Sequence, residues 1–146
     1  MKRILVAIDD VESNTINSPM IMRVIEQARA FSSKVWLLHV APRLRPIPFN
    51  VDGKLLRREA ATELHHEHDF LQQLAQCLRD REIDAKALLI EGATIGSIME
   101  EADRLDVDLI ILGCHKHGLL YGALMDITEE GLLSRCMRPL LFIPAV

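Results

Sequence analysis

The residues best placed to do chemistry lie between Val107 and Thr128, in the stretch VDLIILGCHKHGLLYGALMDIT. Asp108-Leu109-Ile110-Ile111-Leu112 is a short apolar run bounded by turn residues, the pattern of a strand buried on both faces. It ends at Gly113, and a loop carrying Gly118 and Gly122 follows. Helix is expected from Asp126, because Asp126-Ile127-Thr128-Glu129 reads as a capping box. In that arrangement the Asp carboxylate accepts from the Glu129 backbone N–H and the Glu reaches back. Strand, glycine-bearing loop and helix start together aim backbone N–H groups and a helix dipole at one spot, which suits a phosphate. His115 and His117 stand in the same loop, where an imidazole can touch a phosphate or a ribose. Asp9 and Asp10 close a second apolar run, Ile4-Leu5-Val6-Ala7-Ile8. An acid at the carboxyl end of a parallel strand lies where α/β sheets bind ligands. The two acids suit Mg²⁺ beside a nucleotide, although Asp10 reads more simply as a cap on the loop that follows.

Two other groups invite a chemical reading. On a helix, His65 and Asp69, or His65 and His68, share a face within Leu64-His65-His66-Glu67-His68-Asp69. A solvated helix side amid many charges explains that segment without a metal. Cys77, Cys114 and Cys136 are odd in number and lack CxxC spacing, as in a reduced protein with free thiols. Cys114 abuts the expected helix start, yet nucleophilic catalysis needs a base of defined geometry, and no such constellation is readable.

The elements that must position these residues follow from length and pattern. The 146 residues, 49% of them apolar, suit one domain over 1–146. Net charge is -4 with acids and bases interspersed and no basic patch among aromatics, which argues against nucleic acid as a partner. The Met-Lys-Arg start runs straight into a strand pattern without a signal-peptide core, and no apolar run approaches membrane-spanning length. Strands are expected over 4–8, 35–40, 85–90, 108–112 and 139–143. Helices are expected over about 19–32, 54–81, 94–105 and 126–135, the first with Ser18 as N-cap and Pro19 at the first helical position. Residues 41–53 carry Pro42, Pro46 and Pro48 beside Arg43 and Arg45, the composition of a long irregular loop. The alternation gives an α/β domain, a doubly wound five-stranded parallel sheet with helices on both faces. Its ligand crevice belongs between the first strand and the fourth, where Asp9 and Gly113 both face it.

With its elements in this order, the chain resembles the universal stress protein family over nearly its whole length. ILVAIDD is similar to that family's first strand ending in Asp, LLHV to its second strand, DLIILGCHKHG to its fourth strand and loop, and RPLLFIP to its closing strand. The resemblance implies the Rossmann-like, adenine nucleotide alpha hydrolase-like version of the fold. It implies that Asp9 faces the ribose or adenine and that Val40 flanks the base, with Ala7, Leu112 and Thr128 nearby. ATP-binding members carry Gly, two residues, Gly, nine residues, Gly, then Ser or Thr. Laid on this chain, Gly113 fills the first position, while Lys116, Asp126 and Ile127 replace the second Gly, the third Gly and the hydroxyl residue.

Those replacements bear on the phosphates. Glycine lets backbone approach an anion closely, and a lysine offers charge without that shape. A carboxylate at Asp126, as N-cap, would fill the anion site itself. The resulting expectation is a cytoplasmic, dimeric stress-response or signalling factor whose nucleoside end is kept and whose triphosphate end is weakened or lost. A true ATP- or AMP-binding switch using Lys116 and the loop histidines is the first alternative; a nucleotide hydrolase, lacking a P-loop lysine and a carboxylate base, is the second. The homodimer would form through Leu140, Leu141, Phe142 and Ile143, apolar on both faces yet at a sheet edge in the family's strand order.

Overall fold

Five apolar runs become five parallel strands of one sheet: β1 (Arg3–Ile8), β2 (Lys34–Ala41), β3 (Ala85–Glu91), β4 (Leu109–Cys114) and β5 (Leu140–Pro144). A computed structural model describes residues 1–9, 15–41, 53–114, 119–126 and 128–144. The strand order is β3-β2-β1-β4-β5, so the order reverses at β1 and the crevice expected there lies between crossovers of opposite sense. Ala7 is in register with Leu38 of β2 and with Leu112 of β4.

Strand side chains alternate between two apolar layers. Ile4, Val6 and Ile8 join Val35 and Leu37 under α1 (Pro19–Phe31) and α2 (Gly53–Arg79). Leu5 and Ala7 join Trp36, Leu38 and Val40 under α3 (Thr94–Leu105), α4 (Leu119–Met125) and the single-turn α5 (Leu132–Arg135). Helix α1 starts as its sequence indicates, with Ser18 Oγ accepting from the Ile21 backbone N–H at 3.3 Å and Pro19 in the first turn. At the opposite end of the sheet Asp108 ties β4 to β1. Its Oδ2 accepts from the backbone N–H groups of Lys2 at 2.9 Å and Arg3 at 3.0 Å, and its own N–H donates to Arg3 O at 2.8 Å.

The segment after β4 departs from expectation. Helix begins at Leu119, with Gly122 inside it rather than in a loop. Asp126 therefore follows a helix instead of capping one, and the capping box does not form. Asp126 Oδ1 accepts from the Thr128 N–H at 2.9 Å, and Thr128 Oγ1 accepts from the Glu130 N–H at 3.3 Å, two short side-chain turns in succession. Gly131 is the N-cap of α5, and a Cβ there would stand 2.0 Å from the Asp126 carbonyl oxygen. The backbone folds back on itself so closely that glycine is required. The helix expected over 126–135 shrinks to the single turn of α5, because Glu129, Glu130 and Gly131 have nothing apolar to bury and the chain turns there, while α4 forms in the stretch expected as loop. The expected loop at 41–53 falls mostly outside the described residues. Among the described residues no helix is long and apolar enough to cross a membrane.

Candidate functional site

Two polar residues occupy apolar positions, and they meet. His39 is in phase with Val35 and Leu37, so strand alternation turns it toward α2, and it is 8% exposed. On α2, Leu71, Leu74 and Leu78 form the buried stripe, and three- and four-residue spacing carries that stripe back to Glu67. Glu67 Oε2 lies 2.8 Å from His39 Nε2, with side chains 22% and 10% exposed respectively. His39 Nδ1 stands 2.8 Å from the carbonyl oxygen of Ile8. A carbonyl oxygen only accepts, so Nδ1 is the donor and Nε2 is the nitrogen left for the carboxylate. The contact with Oε2 has ion-pair distance but not the alignment of a hydrogen bond, and among the described residues that buried oxygen has no hydrogen-bond partner.

This pair forms one wall of a cavity of about 180 Å³ at the carboxyl ends of β1 and β2. Ala7, Ile8, Leu38, Ile98 and Leu120 give it apolar sides, and Asp9, Val40 and Thr94 complete it. Asp9 arrives from the end of β1 and Thr94 from the first turn of α3. Helix α3 has Ala93 at its N-cap and no side-chain cap, so the Thr94 end is open toward the cavity. Two carboxylates and an imidazole line the space, and no lysine or arginine does so among the described residues. The arrangement sets hydrogen-bond acceptors beside apolar walls.

Of the residues singled out from sequence, Ala7, Asp9 and Val40 come together here. Leu112 and Gly113 lie one strand over, on β4, and are not among the cavity's lining residues. Gly113 has a packing explanation: a Cβ there would stand 2.0 Å from Met20 Sδ and 2.8 Å from Met20 Cγ, so the α1 side chain occupies the space. Asp126 and Thr128 sit in the turn before α5, with the Asp126 carboxyl held below its usual range by the Thr128 hydroxyl and then by its N–H. His115, Lys116, His117 and Ile127 lie outside the described residues. His39, Glu67 and Thr94 were not among the sequence candidates.

The histidine-rich turn of α2 disperses. His65 Nε2 faces Asp69 Oδ2 at 3.6 Å in solvent, His66 stacks edge-on against Phe70 at 4.9 Å, and His68 Nε2 meets Gln72 Nε2 at 3.3 Å. Among the described residues no group of three or more His, Cys, Asp or Glu is arranged to hold a metal ion.

The sequence model of the universal stress protein family matches residues 1–144. This chain belongs to that family. No curated protein matches it by sequence. Solved universal stress proteins share its fold at low identity. One from Burkholderia pseudomallei is 19% identical, covering 99% of this chain and 96% of its own, at TM-score 0.67. One from Archaeoglobus fulgidus, in complex with dAMP, is 16% identical, covering 98% of each chain, at TM-score 0.59. A family protein from Arabidopsis thaliana with AMP bound is 16% identical, covering 100% of this chain and 93% of its own, at TM-score 0.58. The five-stranded parallel sheet of this universal stress protein is the one those relatives share.

Proposed function

We propose that this universal stress protein is a cytoplasmic regulatory factor that binds an adenine nucleotide by its nucleoside end, with the triphosphate weakly held. The observation that carries the reading is the cavity where Asp9, Val40, His39 and Glu67 converge, at the switch point of the sheet. The adenine nucleotides in two relatives, dAMP and AMP, support the choice of ligand. Charge supports the weak triphosphate end. The Asp126 carboxylate accepts from the Thr128 N–H, so a phosphate brought to that turn would meet a negative charge. Two unit charges about 4 Å apart repel by about 1 kcal/mol in water and about 4 near a protein surface. Any Mg²⁺ would arrive with the nucleotide. The working form is a homodimer joined along β5.

Mass analysis of small molecules released from the denatured, purified protein is the first test, with an adenine nucleotide expected. Equilibrium binding should then rank AMP at or above ATP. Lys116→Gly, Asp126→Gly and Ile127→Ser combined should raise ATP affinity selectively. ATP binding tighter than AMP in the unmodified protein would overturn the weak-triphosphate reading.

A further inference from the structure

Glu67 stands out because α2 places a carboxylate where its own apolar stripe calls for a leucine. Burying an acid needs compensation, and the His39 contact lacks hydrogen-bond alignment. Oε2 is turned onto His39 and sealed from solvent, while Glu67 itself remains part of the cavity lining. We propose that Glu67, positioned by His39, is a specificity-determining residue that reads an amine donor on the base of the bound nucleoside. The inference rests on the adenine-nucleotide reading above and assigns a residue within it.

Size and charge choose which end of the ligand meets Glu67. About 180 Å³ is smaller than the roughly 300–1,000 Å³ of sites that engulf a whole drug-sized ligand, so one part enters and the rest stays outside. An acid-lined cavity without lysine or arginine among its described lining residues rejects a phosphate. Its apolar sides, Leu38 and Ile98 among them, suit the faces of a flat ring. The part that enters is therefore the base. The exocyclic amine of adenine supplies the donor a carboxylate wants, and a charge-assisted bond of that kind discriminates well against a ring that lacks it. His39 does not touch the base in this account; through its bond to the Ile8 carbonyl oxygen it holds Glu67 to the strand ends.

The test is binding of adenosine, 2′-deoxyadenosine and purine riboside to the full chain by calorimetry, with AMP as reference. Purine riboside differs from adenosine by loss of the exocyclic amine alone. Unmodified protein should prefer both adenosines to purine riboside by about tenfold or more. Glu67→Met keeps the volume and removes the acceptor, and should lower adenosine to the purine riboside level while leaving the latter unchanged. Equal binding of adenosine and purine riboside by the unmodified protein overturns the inference, even if the variant fails to fold. So does a preference that survives in Glu67→Met, or a penalty that follows the 2′-hydroxyl instead of the amine. AMP binding without amine discrimination removes the inference alone; no binding of AMP or any nucleoside removes the nucleotide reading with it.

Discussion

His39 and Glu67 are each an exception to a period. A histidine two residues beyond Leu37 on a buried strand face, and a glutamate four residues before Leu71 on a helix stripe, are both visible in the sequence as misplaced polar groups. That they compensate each other was not visible, because nothing local says which strand lies under which turn of α2. The energetic consequence is a coupling. Glu67→Ala should destabilise the protein by about 1–3 kcal/mol, since it removes the carboxylate that faces a buried imidazole nitrogen. Adding His39→Leu should recover most of that loss, because apolar replacement of a whole buried pair is often near neutral. Urea unfolding of the two single variants and the double variant measures it, and additive losses would show that the contact has no weight. Asp108 behaves differently because it is exposed. Hydrogen bonds from the Arg3 N–H, then the Lys2 N–H, hold its carboxyl below the ordinary range. A pKa depressed on folding contributes stability above the unfolded value and loses it as pH falls through the folded one. The urea midpoint of the native protein should therefore drop below pH 4, the approximate ordinary value, more steeply than that of Asp108→Asn, the two curves converging in acid. Parallel curves would show that the tie contributes nothing.

At the scale of elements the strands were legible and the last helices were not. Each strand is a short apolar run between turn residues, a signal that needs no partner to be read. The region after β4 misled because Asp126-Ile127-Thr128-Glu129 has capping-box composition, while Gly131 and two acids deny the following turn an apolar face. Leu119 to Met125 is mostly apolar and buries Leu120 and Leu124 against α3 and β4, so helix starts there despite Gly122. Gly113 carries the same warning. A glycine in a motif position suggests an anion, yet Met20 of α1 fills the space a side chain would take. Gly113→Ala should cost about 1–3 kcal/mol through overpacking of that contact, and Met20→Ala in the same protein should relieve it. Thermal melts of the pair decide the matter: if the second change adds to the loss, the crowding assigned to Met20 is wrong.

For the whole molecule the unresolved demand is the β5 edge. The strand has an inner partner in β4 and none on its outer side among the described residues. Leu140, Leu141 and Phe142 are partly exposed along it, and Leu133 and Met137, just upstream, are 61% and 92% exposed. An open apolar edge invites another strand, and a second copy meeting it about a two-fold axis makes the contact self-complementary. Phe142→Asp would place a charge in that seam and should yield monomer or aggregate, whereas the native chain at micromolar concentration should sediment as a dimer. A clean native monomer would remove the proposal. The strand order has one more consequence, on the timescale of opening. β1 lies at the centre of the sheet, between β2 and β4, with Ile4, Leu5 and Val6 wholly buried. Its amide hydrogens should be released to deuterium only when the whole domain unfolds, and those of β3 and β5 long before. Asp9 and the Ile8 carbonyl oxygen that holds His39 are suspended from that slowest strand. An occupant of the crevice can thus come and go many times within a single opening of the core beneath it.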